Sequence, residues 1–407
     1  MTNISLSSIL LFCLVTPFIM EHRIGPGETP YWLFTLIFLL LGSHLLLDVI
    51  SIKESIRTNL KQVILWLSII FILGATFISA IIVRHQTAPV YMIHDIILQQ
   101  EAAIRYLIHG KNPYAATYFG TPMEAWNYSS TEINPALYHF VNQPLYLIFA
   151  LPFYYISNHT IGYFDGRIPL LFLFFSVLIL GGFLIKDKEK RSLFIILMAF
   201  NPAILSYTLE GRSDMFMFGF VFFSFYLLYK KHYFMGAIFM ALAFGVKQSI
   251  WPILPLYFSF LWFNLKKLNV FIKNLVIFSI TCAIVIGPFL IWDYKAFLNS
   301  TIFYLSGNTP HSYPISGYGL GKLLLSFGLI ANESAYYSFQ IWQFMLGLPT
   351  LAWLVIFLKK KPSVKRLIYV YGIFLFVFWY SARYFNNSHI GYLSVVFLTS
   401  YFWPEES

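Results

Sequence analysis

Apolar stretches of membrane-crossing length recur from one end of this chain to the other. Four of the clearest are Tyr31–Ile50, Val63–Val83, Ile168–Ile185 and Leu275–Trp292. An α-helix needs ~20 apolar residues to cross the hydrocarbon core of a bilayer, and each stretch has about that length. They also lack the alternation of apolar and polar residues that marks the strands of a membrane barrel. The sequence therefore predicts an all-α polytopic membrane protein.

Composition and charge support this prediction. The 407 residues are 58% hydrophobic and only 11% charged, whereas a soluble domain is about 25% charged. The net charge of +10 does not indicate a nucleic-acid partner, because the Lys and Arg residues lie in short connectors between apolar stretches. The two cysteines, Cys13 and Cys282, lie inside apolar stretches. They provide neither a disulfide framework nor the spacing of a metal site.

We predict about twelve transmembrane helices in a single integral membrane domain, residues 1–407. Their approximate bounds are 4–20, 31–50, 62–83, 168–185, 192–208, 214–229, 233–250, 251–265, 274–292, 340–358, 367–383 and 388–403. Most of the 27 Lys and Arg residues fall in five connectors: Lys53–Lys61, Lys186–Arg191, Lys230–Lys231, Lys266–Lys273 and Lys359–Arg366. Positively charged connectors stay in the cytoplasm. We therefore expect these connectors and both termini on the cytoplasmic side.

Two long loops are then expected on the extracytoplasmic side, at residues 84–167 and 293–339. Within the first, Pro144–Ile156 is apolar but too short to cross, and prolines interrupt it at 144 and 152. We interpret it as a re-entrant or interfacial segment. Loops of this length are usually functional, so both are searched for polar residues suited to chemistry.

The first long loop carries a polar segment with helical spacing. Asp95 and Gln99 are one turn apart and share a helix face, while Glu101 and Arg105 have the i, i+4 spacing of a salt bridge. Asn112-Pro113 follows, and the residue before proline disfavours helix. The segment predicts a juxtamembrane helix that presents Asp95. The alternative is an ordinary solvated helix whose first-turn carboxylate only complements the helix dipole.

Two further polar features lie next to apolar stretches. The turn Glu210-Gly-Arg212-Ser-Asp214 places three charges at the membrane surface. It is either a binding site or a polar turn with a Glu–Arg pair. Lys247 lies inside the apolar stretch of the span predicted at 233–250, where it needs a polar partner or a water-filled cavity. A phosphate is a natural partner for such a cation; the alternative is a lysine that snorkels to the interface.

The second long loop combines glycines with His311, Tyr313, Tyr318 and Lys322. Aromatic faces can stack on sugar rings, so this composition suits a mobile sugar-binding lid. A lone loop histidine is more often a surface residue than a catalyst, and His311 is open to both interpretations.

Several of these motifs together resemble a known family. Residues 84–265 are similar to the GT-C superfamily of polyprenyl-phosphate-dependent glycosyltransferases, and look closest to the mannosyltransferase-like branch called glycosyltransferase family 87. The resemblance rests on Asp95 and on the motifs Gly110-x-Asn-Pro-Tyr114, Gln143-Pro-Leu-Tyr146, Arg167-Ile-Pro169, Arg212-Ser-Asp214 and Ala241-Leu-Ala-Phe-Gly-Val-Lys-Gln248. Two apolar stretches, 4–20 and 31–50, precede the part that matches this pattern.

The resemblance implies an activity and residue roles. Asp95 would be the general base that activates an acceptor hydroxyl for inverting attack on a sugar, a hexose such as mannose, carried on polyprenyl phosphate. Cations would stabilise the leaving phosphate, and Asp214 would orient a substrate or hold a divalent ion; no other cofactor is implied. Substrate-binding roles fall to Glu101, Arg105, Tyr114, Glu210, Arg212, Asp214, Lys247, Gln248, His311 and Arg383. The acceptor would be a lipid or glycan, and the protein would lie in a bacterial plasma membrane with its site outside.

Two other functions fit the sequence. An O-antigen ligase or polymerase uses a later external loop with Arg and His, where His311 would serve. A transporter or flippase would need charged or broken helices near the membrane midplane in both halves. The position of Asp95 in the first loop favours the transferase.

Overall fold

The chain is nearly all helical. The computed structural model describes residues 4–22, 30–87, 89–90, 92–126 and 133–406. Helices of the first half are α1 (Leu6–His22), α2 (Tyr31–Leu46), α3 (Glu54–Ile69), α4 (Ala75–Thr87), α5 (Asp95–Ile108), α6 (Leu145–Ile148), α7 (Leu151–Thr160), α8 (Arg167–Leu184), α9 (Lys188–Ala199) and α10 (Leu205–Leu209). Those of the second half are α11 (Ser213–Tyr229), α12 (Tyr233–Phe244), α13 (Leu254–Leu265), α14 (Leu268–Trp292), α15 (Tyr294–Leu298), α16 (Tyr304–Ser306), α17 (Leu320–Ser326), α18 (Gln340–Lys360), α19 (Val364–Tyr380) and α20 (Asn387–Phe402).

Among the residues that the structure describes, four helical segments are long and apolar enough to cross a membrane. They are Glu54–Gln86, in which a π-helical turn joins α3 to α4, and the helices α8, α14 and α18. Four shorter helices, α1, α2, α11 and α12, are also apolar. On α14 and α18, large apolar side chains such as Ile291 and Phe344 point outward, 87% and 62% exposed. Apolar surface of this kind indicates contact with lipid, in line with the predicted class of helical membrane protein.

The predicted bounds need correction at two places. The span predicted at 192–208 is two pieces, because α9 ends at Ala199 and only the short α10 follows. The spans predicted at 233–250 and 251–265 are α12 and α13 with a 3-10 helix, Gln248–Ile253, between them. Pro252 and Pro255 limit regular helix here. Lys247 therefore lies in an extended break after α12, and not inside a helix.

The basic connectors gather at one end of the bundle with both described ends of the chain. Lys188 donates to the side chains of Thr58 and Asn59 at 3.0 Å, which joins the first two basic connectors. Near the N-terminus, Ser7 donates through its hydroxyl to Glu189 at 2.8 Å. Near the C-terminus, Lys365 pairs with Glu405 at 2.6 Å. Three of the five basic connectors thus lie beside a described end of the chain, and the side of the membrane that they face stays a prediction.

Both long loops contain structure of their own. The first holds α5, two short 3-10 helices (Pro122–Ala125 and Pro135–Leu137) and the short helices α6 and α7, so the segment predicted not to cross is broken into two pieces. The second holds α15, α16 and α17. It is tied to the α19–α20 connection by two short parallel strands, β1 (Ser316–Gly317) and β2 (Tyr384–Phe385). A side chain at Gly317 would meet the Phe385 carbonyl at 2.0 Å, so this close pairing requires glycine.

Candidate functional site

A cavity of about 110 Å³ lies at the end of the bundle away from the basic connectors. The start of α5, the start of α11, the break after α12, the second loop and the start of α20 all contribute to it. The lining residues that bear on its chemistry are His94, Asp95, Gln99, Asn142, Arg212, Asp214, Lys247, Gln248, Tyr313, Tyr384, Asn386 and His389. Asp95 and Asp214, distant in sequence, thus line one cavity.

Asp95 is a nearly buried carboxylate held on both oxygens. Its Oδ1 lies 2.6 Å from His94 Nδ1, and its Oδ2 accepts a hydrogen bond from Asn134 Nδ2 at 3.1 Å. Asn134 is fixed in turn, because its Oδ1 accepts from the Ala136 amide at 2.9 Å. The carboxylate therefore has a defined orientation at the first residue of α5.

His94 is the residue before α5, and two contacts place it. Its backbone N–H donates to the Glu210 carbonyl at 2.7 Å, which brings the start of α5 to the turn before α11. Its ring packs against Trp126 at 5.4 Å. The His94 Nδ1, which lies against Asp95, also accepts a hydrogen bond from the Ile96 amide at 3.3 Å. These contacts hold the imidazole beside the Asp95 carboxylate.

Asp214 and Lys247 form a salt bridge beside this carboxylate. The Lys247 Nζ donates to Asp214 Oδ1 at 2.9 Å, with the two side chains 20% and 5% exposed. Asp214 lies in the first turn of α11, and Lys247 in the break after α12, so the antiparallel pairing of these helices brings them together. An ammonium group has three N–H donors. Lys247 can thus bind a further acceptor in the cavity while it pairs with Asp214.

Two contacts hold the Arg212 guanidinium in place next to this salt bridge. Its Nε donates to Glu210 at 3.2 Å, and its guanidinium lies 4.5 Å from the centre of the Tyr207 ring. The Glu–Arg pair expected for this turn is therefore present. Arg212 also lines the neighbouring open cavity, so it lies at the boundary between the two.

Two larger cavities adjoin the small one. One, of about 840 Å³, is lined by His94, Trp126, Tyr138, Arg212, His311 and Glu333 among others. The other, of about 470 Å³, is mostly apolar, with Trp251, Pro252, Ile302, Phe339, Phe374 and Phe378 in its lining. The first shares Arg212 and Tyr313 with the small cavity, and the second shares Gln248 and Tyr384. The small cavity therefore lies between an open space with a mixed polar and apolar lining and an apolar groove.

Several residues assigned to the site from the sequence lie elsewhere. The Glu101 carboxylate binds both terminal nitrogens of Arg84 at 2.7 Å, and not Arg105 as its spacing suggested. Arg105 is exposed and lines a separate surface pocket. Tyr114 is buried among Phe140, Phe289 and Phe297, with its hydroxyl bound to a backbone carbonyl. These three residues do not line the cavity that holds Asp95.

The ion pairs around Glu101 anchor α5. Arg84 also pairs with Asp165 at 2.8 Å, and Asp165 pairs with the fully buried Arg167 at 2.8 Å. Burial alone would raise the pKa of Asp165, but the charge and hydrogen bonds of Arg167 outweigh burial and hold that pKa below its ordinary value. The Asp165 carboxylate thus stays ionised and ties α4, α5 and α8 together.

Arg383 holds the second long loop in place through hydrogen bonds to its backbone. Its guanidinium donates to the backbone carbonyls of Tyr313, Ala335 and Glu333 at 2.6, 2.8 and 3.0 Å. These bonds hold the second loop against the end of α19. Arg383 lines the apolar groove and not the small cavity. It therefore positions the loop that supplies Tyr313 to the cavity.

His311 lies at the rim of the open cavity. Its ring stacks on Tyr138, with centroids 3.8 Å apart. Nearby, burial, and then the charge of His311, lower the pKa of His139 to about 4, so His139 is neutral near pH 7. Burial, and next the charge of Asp95, raise the pKa of Tyr313, whose phenol therefore remains a hydrogen-bond donor beside the carboxylate.

Five of the lining residues named above were not predicted from the sequence: His94, Asn142, Tyr384, Asn386 and His389. The last two begin α20, where the Asn386 side chain and His389 form a capping box. That pattern predicts a helix start and carries no sign of a site. Only the folding of α20 against α11 brings these residues to Asp214.

Within the described residues, no three His, Cys, Asp or Glu side chains gather in a way that could hold a metal ion. No protein-family model, curated protein or solved structure matches the chain.

Proposed function

We propose that this protein is a membrane glycosyltransferase. It transfers a hexose from a polyprenyl-phosphate sugar to a lipid or glycan acceptor, with inversion, on the extracytoplasmic face. The observation that carries the proposal is one small cavity in which Asp95 lies with Lys247 and Arg212, between an apolar groove and an open space lined by polar and aromatic residues. A base, cations and a lipid-compatible groove are the three parts that this reaction requires.

In the proposed reaction, Asp95 acts as the general base. Its carboxylate takes the proton of an acceptor hydroxyl as that oxygen forms a bond to the anomeric carbon of the sugar. The bond from the anomeric carbon to the phosphate oxygen breaks, and polyprenyl phosphate leaves with the electron pair. The proton then passes from Asp95 to solvent, and His94 at 2.6 Å offers a route. A positioned base contributes ~10²–10⁴ in rate.

Lys247 and Arg212 would stabilise the charge that develops on the leaving phosphate. Each already pairs with one carboxylate, Asp214 and Glu210, and each keeps further N–H donors for a phosphate. Preorganised cations in a water-poor cavity stabilise such charge strongly, because they need not reorient during the reaction.

The neighbouring cavities suit the remaining parts of the two substrates. The apolar groove borders the membrane-facing helices α18 and α19 through Gln340 and Phe374, which fits a polyprenyl chain. The open cavity is lined by Tyr138, Tyr207 and Trp126, aromatic rings that can pack on the sugars of a glycan acceptor. Both reach the small cavity, so donor and acceptor can meet at Asp95.

The proposal includes twelve crossings, with the basic end of the bundle in the cytoplasm of a bacterial cell. Since the positive-inside rule fixes orientation, a cysteine at Ala125 or at Ser334, both exposed, should react with an impermeant maleimide in intact cells. A cysteine at Lys186, also exposed, should react only after the membrane is opened. The measurement needs a background without Cys13 and Cys282. The reverse labelling pattern would overturn the orientation.

The activity itself is tested by transfer. Purified protein in lipid nanodiscs is given undecaprenyl phosphate that carries radiolabelled mannose or glucose, with membrane lipid extract as acceptor. We expect label to move to the acceptor and free undecaprenyl phosphate to accumulate. If the same protein only moves intact donor between the leaflets of proteoliposomes, the protein is a flippase and the transferase proposal fails.

A further inference from the structure

Three amide side chains line the small cavity. Gln99 and Asn142 have no exposed surface, and Gln248 is half-buried. Gln99 and Gln248 are held by carbonyls of the segment 136–142, which also contains Asn142. All three line the cavity that contains Asp95. We call these three residues the amide wall.

The hydrogen bonds of the two glutamines determine which atoms face the cavity. The Gln99 Nε2 donates to the carbonyls of Ala136 and His139, both at 2.7 Å. The Gln248 Nε2 donates to the carbonyls of Val141 and Thr301 at 3.0 and 2.8 Å. Because a carbonyl oxygen only accepts hydrogen bonds, the amide nitrogens face these carbonyls and the amide oxygens point away from them. Both Oε1 atoms are buried and have no partner within the described residues.

Asn142 adds a donor to these acceptors. Its Oδ1 and Nδ2 are both buried and both lack a partner within the described part of the chain. Buried polar groups of this kind are rare, since each costs roughly 1–3 kcal/mol when unpaired. All three side chains line one cavity, where the hydroxyl groups of a bound ligand would supply the missing hydrogen bonds.

We infer that the amide wall binds the hydroxyl groups of a neutral sugar, which deepens the proposed function and rests on it. Two acceptor oxygens, together with one amide that both donates and accepts, match hydroxyl groups, which do both. A carboxylate or a second phosphate would instead face the oxygens of Gln99 and Gln248 and be repelled. The cations of the cavity, Lys247 and Arg212, then remain for the phosphate.

The chain offers a matched control for this inference. Gln143 is the next residue after Asn142, it is 1% exposed, and both atoms of its amide are buried without a partner in the described residues. It does not line the small cavity. Gln143→Met therefore removes a comparable buried amide without touching the amide wall.

Binding of two lipids by the purified protein in nanodiscs tests the inference. The probes are undecaprenyl phosphate and undecaprenyl phosphate that carries mannose. We expect wild type to bind the glycosylated lipid about tenfold more tightly or better, the size of one or two neutral hydrogen bonds. Asn142→Leu and Gln248→Met should each reduce this preference for the glycosylated lipid severalfold, and leave the affinity for undecaprenyl phosphate unchanged. Gln143→Met should keep the wild-type preference.

A second readout separates the inference from the proposed function. Methyl mannoside, which lacks lipid and phosphate, should raise the melting temperature of wild type and of Gln143→Met but not of Asn142→Leu. If wild type binds undecaprenyl phosphate but gains nothing from mannose in either measurement, the amide wall is not a sugar site and the lipid-phosphate proposal stands. If methyl mannoside stabilises wild type but neither lipid binds, the donor proposal fails and the sugar site stands. If no probe binds, both are overturned.

Discussion

Asp95→Asn should lower transfer of the sugar by at least 10²-fold, within the ~10²–10⁴ that a positioned base contributes. The amide keeps the shape of the carboxylate and can still accept a hydrogen bond from Asn134, so the helix start at residue 95 should persist. What the amide loses is the ability to take the acceptor proton. Initial rates with labelled donor measure the effect, and donor affinity should change little.

Asp293→Asn is the matched control for this variant. Asp293 is also a carboxylate at the start of a helix in one of the two long loops, where its Oδ1 accepts from the Ala296 amide at 3.0 Å. It does not line the small cavity, and asparagine caps a helix as well as aspartate does. The control should transfer at the wild-type rate. If Asp95→Asn keeps more than about a tenth of that rate, Asp95 is not the base, and Asp214 becomes the next carboxylate to test.

Part of the candidate site could be predicted from the sequence because membranes make polar residues conspicuous. Asp95, Arg212, Asp214, Lys247 and Gln248 all border apolar stretches, and all five line one cavity. Placing a charge near lipid is costly for each residue by itself. Such residues can therefore be recognised in the sequence without knowledge of which helices pack together.

The remaining contacts depend on packing between distant segments. Spacing along one helix predicted a pair between Glu101 and Arg105, but the burial of Glu101 favours the buried Arg84, which binds it with two nitrogens. Arg383 is among the residues predicted to bind substrate, and its guanidinium binds three loop carbonyls. Neither partner choice follows from a local pattern, because each joins segments that only the tertiary fold brings together.

The break after α12 could be predicted only in part from the sequence. The apolar stretch from Tyr233 to Leu265 predicts two ordinary spans, yet the helix stops at Phe244 and resumes fully at Leu254. Gly245, Pro252 and Pro255 signal the interruption, since glycine and proline weaken helices. Hydropathy alone does not reveal it. The break matters to function, because it frees Lys247 and Gln248 to face the cavity.

Lys247→Met should lower both the thermal stability of the protein and its rate of sugar transfer. A lone buried lysine could be replaced by an apolar residue at little cost, but Lys247 pairs with Asp214, whose side chain is only 5% exposed. Removing one partner of a buried pair leaves an uncompensated charge and costs up to ~3–5 kcal/mol. The melting temperature of the purified variant should fall clearly below that of wild type. Lys186→Met, in an exposed connector, should melt as wild type does.

The double variant Lys247→Met with Asp214→Asn distinguishes structure from function at this pair. Once the carboxylate is also neutral, no uncompensated charge remains, so the melting temperature should recover most of the loss. Transfer should not recover, because the cation that faces the leaving phosphate is still absent. A double variant that regains transfer would show that Lys247 serves only to neutralise Asp214, and Arg212 would then be the cation that binds the phosphate. If Lys247→Met alone melts at the wild-type temperature, the Lys247–Asp214 salt bridge stabilises the fold no more than an exposed salt bridge does, by ~0–1 kcal/mol.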